Sequence, residues 1–324
     1  MSPPTYGECA YYVFGLKLGF RNFLRNGFGA GFRPTVSSIL QPVNSYTRFP
    51  EYAFLETAVA AMAGDEPGRR LEALDIGSPK LAALFMAFRY DVHIRATDLH
   101  PLNVGPYELM WDVLRGKARG AIDFEIQDGQ RLAYADGTFD FAYAMSVLEH
   151  IEGDGGDRRT VGEMLRVLKP GGRLVLSVPV GPKYIEQKIA GVAHAVERVR
   201  KNELHFFQRI YDRRHIESNI LDIATRSGKI RDIVTVFRRA SWTAFAASRI
   251  RSLPESFVTA LGFLNPLISR AINRHANGLI DAVPSAYGPI HDFGDIFGDV
   301  VITIAKSSSG EPAARSVPGS EGGR

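Results

Sequence analysis

The chain has 324 residues, of which 45% are hydrophobic, and its 39 Lys and Arg outweigh 35 Asp and Glu to give a formal net charge of +4. That is enough apolar material for a packed core, and charges of both signs are interspersed along most of the chain, so no nucleic-acid partner is expected. The single cysteine, Cys9, excludes an internal disulfide, no Cys or His pair stands at zinc-ligand spacing, and no apolar run approaches the roughly 20 residues that cross a bilayer; a cytoplasmic protein without a metal is expected.

In chain order, the first notable stretch is residues 14–28, FGLKLGFRNFLRNGF, which sets Phe20, Phe23, Leu24 and Phe28 near one helical side and Lys17, Arg21 and Arg25 on another. Two readings are open. One is a lid helix packing on the core with a solvated basic side; the other is peripheral contact with an anionic membrane surface. Residues 1–65 are accordingly expected to form an N-terminal helical extension.

From about residue 70 to residue 180, short apolar runs alternate with helical patterns, as in a parallel sheet covered by helices. The runs are LEALDI, VHIRATD, IDFEIQD, FDFAYAM and RLVLSVP. KLAALFMAFRY follows the first as a helix, and RRTVGEMLRVLKPGG precedes the fifth, with Gly171 and Gly172 as its expected stop. Further on, DRRHIESNILDIATRSG reads as a helix, IRDIVTVFRR as a strand and DVVITIAK as a late strand. The expected fold is α/β: a Rossmann-like, seven-stranded, mostly parallel sheet with an antiparallel last strand and helices on both faces. The domain is placed at residues 66–306, with a helical insertion at 241–290 before the last strand. The Ser, Gly, Pro and charge content of 307–324 predicts a disordered tail.

In an open parallel sheet, ligands sit outside the carboxyl ends of the strands. The first strand ends at Asp75 and Gly77, the second at Asp98, the third at Asp128 with Gly129 beside it, and the fourth at Met145 and Ser146. The first turn, ALDIGSPK, contains Pro79, which lacks an N–H, and three acids rim the crevice. A dinucleotide phosphate is therefore disfavoured. S-adenosylmethionine, with an ammonium, a sulfonium, two ribose hydroxyls and an adenine amine, suits carboxylates better.

The pieces LDIG, ATDLHP, DGQRLAYADGTFDFAYAMSVLEHI and LRVLKPGGRLVLSVP, in that order, resemble the class I S-adenosylmethionine-dependent methyltransferases of the type 11 group over about residues 71–180. The resemblance implies that Asp75 and Gly77 line the methionine end of the cofactor, that Asp98 accepts hydrogen bonds from both ribose hydroxyls, that Asp128 with Gly129 meets the adenine, and that Ser146 lies near the sulfonium and the acceptor. Where the family continues Gly-x-Gly-x-Gly, this chain reads Gly77, Ser78, Pro79, Lys80, Leu81. Lys80 is expected to compensate by pairing with the cofactor carboxylate.

Past the fifth strand, HFFQRIYD offers His205 and Tyr211 as candidate catalytic residues, while Asp212 reads as the cap of the next helix. His150 reads as structural, and GPIHDFGD offers His291 and Asp292 as a second pair. The functional expectation is methyl transfer to a hydroxyl of a sugar, glycan or lipid-linked acceptor, since the HFFQRIYD region resembles methyltransferases of bacterial surface-glycan assembly. The alternative is a methyltransferase-like binding or scaffold domain, for which the broken glycine pattern speaks.

Overall fold

In a computed structural model of the chain, the described residues are 10–26, 48–65, 67–78, 80–190, 204–238, 280–285 and 298–307. Pro79, His291, Asp292, most of the insertion at 241–290 and nearly all of 307–324 lie outside them.

Two helices come first, α1 (Ala10–Asn26) and α2 (Arg48–Asp65). There follow β1 (Leu71–Ile76), α3 (Leu81–Arg89), β2 (Val92–Asp98), α4 (Gly105–Leu114), β3 (Ala121–Ile126), β4 (Phe139–Met145), α5 (Gly156–Val167) and β5 (Leu168–Val180). A two-stranded antiparallel hairpin, β6 (Ile185–Ala190) and β7 (Leu204–Ile210), stands apart from the main sheet. Then come α6 (Arg213–Ile216), a π-helical turn (Glu217–Leu221), α7 (Asp222–Ser227), β8 (Gly228–Arg238), β9 (Ile280–Ser285) and β10 (Gly298–Lys306).

The main sheet runs β3-β2-β1-β4-β5-β10-β8-β9. Strands β3, β2, β1, β4 and β5 are parallel neighbours, and β10 is antiparallel to both β5 and β8. The seven-stranded Rossmann-like sheet with an antiparallel last strand is therefore present. An eighth strand, β9, extends its edge inside the segment expected to be helical. Pro284 is tolerated there because an edge strand need not donate a hydrogen bond on its outer side.

The central strands read as nearly continuous apolar runs because helices cover both faces. All seven residues of β4 are buried. Its Phe141, Tyr143 and Met145 join a core with Leu18 of α1, Leu55 and Val59 of α2, and helices α3 and α4. Ala142 and Ala144 point the other way, into a core with α5, Ile216, Ile220 and Ala224. Asp140, the one acid in β4, is neutralised at the opposite edge by Lys169, whose Nζ lies 3.0 Å away, and by Arg69.

Three local expectations shift. Helix α5 ends at Val167 rather than at the glycines, because Pro170 disfavours helical backbone at the residue before it. Strand β5 begins at once, and its chain passes so close to the Lys169 and Asp140 carbonyls that a Cβ on Gly172 would lie 2.9 and 3.0 Å from them. The HFFQRI stretch, expected as a lead-in to a helix, is strand β7.

The N-terminal helix packs through Phe14 and Leu18, and Leu24, expected on the apolar side, is exposed. Phe14 meets Phe85 and Phe88 with ring centroids 5.3 Å apart, Leu18 is buried, and Arg25 Nη1 donates to the Asp112 carbonyl at 3.0 Å. Lys17, Arg21, Leu24 and Arg25 are exposed. No described helix is long and apolar enough to cross a membrane.

Candidate active site

The strand order reverses between β1 and β4, so the crevice opens above the carboxyl ends of β1, β2, β3 and β4. Backbone bonds hold these ends level: Gly77 N–H donates to the Thr97 carbonyl at 2.9 Å, and Gln127 N–H to the Asp98 carbonyl at 3.0 Å. The turn after β1 is fixed from within. Gly77 has φ 58°, and a Cβ there would lie 2.9 Å from Val147 Cγ1, so both conformation and space require glycine. Ser78 Oγ donates to the Ile76 carbonyl at 3.3 Å and accepts from Met145 N–H at 2.9 Å, joining the ends of β1 and β4.

Asp75 and Lys80 depart from the expected roles. Both side chains are withdrawn from solvent, with relative exposures of 0% and 2%, and Lys80 Nζ lies 3.2 Å from Asp75 Oδ2 while donating to the Thr97 carbonyl at 2.7 Å. The lysine amine is thus spent inside the fold, neutralising a buried carboxylate, rather than presented to a cofactor carboxylate. Burial pushes the Asp75 carboxyl above its ordinary range, and Lys80 together with the Ser78 N–H at 3.1 Å pulls it back. Leu81, at the third glycine position of the motif, is buried against Gly15 of α1.

Asp98 and Asp128 share one arrangement. Asp98 Oδ1 accepts from His100 N–H at 3.1 Å and from the Asn103 amide at 2.9 Å, which fixes the turn after β2. Asp128 Oδ1 accepts from Gln130 N–H at 2.9 Å and fixes the turn after β3. Among the described residues neither Oδ2 has a hydrogen-bond partner. Gly129 is required by packing, since a Cβ would come within 3.1 Å of Ile76 Cγ2 and 3.3 Å of Thr160 Cγ2.

At the end of β4, Ser146 has φ 52°, the one positive value among the described non-glycine residues. Its Oγ donates to Glu51 Oε1 at 2.6 Å, and its N–H donates to Ser177 Oγ at 2.9 Å. Glu51 is fully buried and accepts a second hydroxyl, Ser177 Oγ, at 2.5 Å. Sequence reasoning missed Glu51, because it lies 95 residues before Ser146 in a helix of unremarkable composition.

The loop after β4 and the β6–β7 hairpin together line a cleft of about 540 Å³. Glu152, Asp154, Arg158, Glu186 and Lys188 line it, and Tyr184 stacks on His215 at 3.9 Å between ring centroids. Asp212 caps α6, accepting the His215 N–H at 2.9 Å. Arg209 is buried against the loop, donating to the Ile151 and Gly153 carbonyls and, at 3.1 Å, to the Tyr184 hydroxyl.

The two candidate catalytic residues fall in different settings. Tyr211 is fully buried, its hydroxyl donating to Asp157 Oδ2 at 2.9 Å, and burial first, then Asp157, holds its pKa far above the usual phenol value. His205 lies on β7, two residues before Phe207, whose ring packs 5.3 Å from His150 on the loop after β4. The His205 Nε2 is buried and has no hydrogen-bond partner among the described residues. His150 Nδ1 is within 2.8 Å of the Phe207 carbonyl, a structural tie between loop and hairpin.

Residues 74–176 match the family model described as a methyltransferase domain. A phosphoethanolamine N-methyltransferase of Triticum aestivum is 31% identical over 113 residues, covering 35% of this chain and 21% of that protein. An O-methyltransferase of Aspergillus nomiae is 30% identical over 111 residues, 34% of this chain and 46% of that protein. The match thus spans less than half the length of either relative. A solved structure of phosphoethanolamine N-methyltransferase 2 from Haemonchus contortus with S-adenosyl-L-methionine aligns at 15% identity and TM-score 0.46, covering 89% of this chain and 60% of that one. Residues 74–176, which carry the strand-end motifs, are thus similar to a methyltransferase domain.

Proposed function

We propose that the chain is an S-adenosylmethionine-dependent methyltransferase acting on a hydroxyl of a sugar, glycan or lipid-linked acceptor. The observation that carries the first part is the pair of strand-end carboxylates, Asp98 and Asp128, each tying its own turn through Oδ1 with Oδ2 unclaimed among the described residues. Ribose hydroxyls and an adenine amine are the donors such oxygens suit. Gly77 gives the close backbone approach, and Ser146 stands at the acceptor side. The cofactor supplies an electrophilic methyl group when bound; the chain's part is to orient both partners and exclude water.

The hydroxyl acceptor is supported by His205, whose buried Nε2 has no hydrogen-bond partner among the described residues and is an atom at which a proton can be taken. A sugar is supported by the hairpin cleft, where a stacked Tyr184–His215 pair lies among carboxylates and basic groups able to bond vicinal hydroxyls. Thermal-shift titration with S-adenosylhomocysteine tests the cofactor, with a rise in midpoint expected. Transfer of labelled methyl into cell extracts fractionated into polysaccharide, lipid and small molecules tests the acceptor. Label in polysaccharide or glycolipid is expected, and label confined to amines would overturn the hydroxyl assignment.

A second reading, a methyltransferase-like scaffold without activity, is favoured by one observation: the buried Asp75–Lys80 pair locks the first turn from within. No stabilisation by S-adenosylhomocysteine at millimolar concentration would establish it over the first.

A further inference from the structure

Glu51 has no place in the strand-end motifs, yet it is the side chain most directly joined to the strained tip of β4. Its Oε1 accepts two short hydroxyl bonds, from Ser146 at 2.6 Å and Ser177 at 2.5 Å, and it is fully buried while carried by a helix outside the matched domain. Ser146 N–H is in turn bonded to the Ser177 hydroxyl at 2.9 Å and to the Ser177 carbonyl at 3.2 Å. A serine at φ 52° is strained and persists only where its surroundings fix it. Here the fixing groups are Ser177, within the sheet, and Glu51, from α2.

We propose that Glu51 is a positioning residue: it holds Ser146 in its left-handed conformation at the end of β4 and so makes the ligand-binding geometry of the crevice depend on the docked N-terminal helix α2. The neighbouring contacts are of the right kind. Val147, the next residue, fills the space where Gly77 would carry a Cβ, and Met145, the preceding one, is bonded to Ser78. A relaxation of Ser146 toward extended backbone would therefore move both walls of the first turn. The inference rests on the methyltransferase reading only for the identity of the ligand.

Four full-length proteins decide it: wild type, Glu51→Ala, Ser146→Gly and the double variant, each measured for S-adenosylhomocysteine affinity by calorimetry and for thermal midpoint. Glu51→Ala is expected to weaken binding about tenfold, because Ser146 abandons its strained conformation. Glycine holds the same φ at little cost, so the double variant is expected to bind within about threefold of Ser146→Gly alone. A double variant as weak as Glu51→Ala would show that the carboxylate acts by docking the helix and not by holding residue 146, and unchanged affinity in a folded Glu51→Ala would sink the idea outright. If wild type binds no S-adenosylhomocysteine, the functional reading fails separately. The midpoints then decide: a Glu51→Ala deficit that Ser146→Gly lessens supports the hold, and one that it leaves untouched overturns it.

Discussion

Lys80 Nζ and Asp75 Oδ2 lie 3.2 Å apart with both side chains enclosed by the fold, directly beneath the turn that follows the first strand. A buried pair of this kind does not require that the pair itself be strongly stabilising, but removing one member leaves an uncompensated charge, at a cost of about 3–5 kcal/mol. Lys80→Met should therefore destabilise strongly, and Asp75→Asn in the same chain should recover much of the loss. The pH dependence has a definite sign. Burial raises the Asp75 carboxyl above 3.8, so the stability present below that value is lost as pH rises through the raised pKa. Without Lys80 the rise is larger, so the deficit of Lys80→Met relative to wild type should widen from pH 4 to pH 7 in thermal melts. A deficit constant with pH would show that the lysine matters through packing alone.

Gly77→Ala combines two penalties, a left-handed backbone costing a residue with a Cβ about 1–2 kcal/mol and a methyl 2.9 Å from Val147 Cγ1. Loss of S-adenosylhomocysteine affinity of at least tenfold is expected, together with a lowered melting temperature. Adding Val147→Ala removes the contact but not the backbone strain, so it should restore only part of both. Full restoration would mean that the conformation of residue 77 is unimportant.

Asp98→Asn and Asp128→Asn keep an Oδ1 that can accept the turn bonds now made to His100, Asn103 and Gln130. Melting temperature without ligand should therefore change little. What is lost is the charge behind Oδ2. Since hydrogen bonds to charged groups contribute about 1.5–3 kcal/mol, S-adenosylhomocysteine affinity should fall about 10–100-fold for Asp98→Asn, measured by calorimetry. The decrease should be smaller for Asp128→Asn, which is asked to meet a single amine rather than two hydroxyls.

Much of this crevice was legible in the sequence because its informative residues sit at strand ends, where the alternation of apolar runs and helical patterns already places them. Asp98, Asp128 and Gly77 are each within two residues of a strand end, so locating the strand located the residue. Lys80 was misread for a geometric reason: the sequence shows a cation beside a ligand loop, but not whether the helix enters with that side chain turned outward or under the sheet. Glu51 was invisible because its partners are 95 and 126 residues away, and a lone glutamate in RFPEYAFLETAVAAMAGD reads as a solvated position. The β6–β7 hairpin was missed because its strands are separated by residues 191–203, AVERVRKNE among them, which carry no tight-turn signal.

Tyr211 and His205, six residues apart, are expected to separate cleanly into a stability residue and an activity residue. The Tyr211 hydroxyl is buried and donates to Asp157 Oδ2, which also accepts from the Asn219 amide at 3.0 Å. Tyr211→Phe leaves that carboxylate one donor short, so it should cost about 1–3 kcal/mol. Because burial and Asp157 raise the Tyr211 pKa well above 10, the hydroxyl stays protonated wherever the protein is folded and cannot serve as a base. The stability it contributes is complete below pH 10 and is lost as pH rises beyond that, so the fall in melting temperature above pH 10 should be shallower in Tyr211→Phe than in wild type. His205→Gln should do the opposite: melting temperature and S-adenosylhomocysteine affinity close to wild type, with methyl transfer to a hydroxyl acceptor reduced about 10²-fold. If His205→Gln transferred methyl at the wild-type rate, the proton would leave the acceptor by another route and the imidazole would be a packing residue of the hairpin.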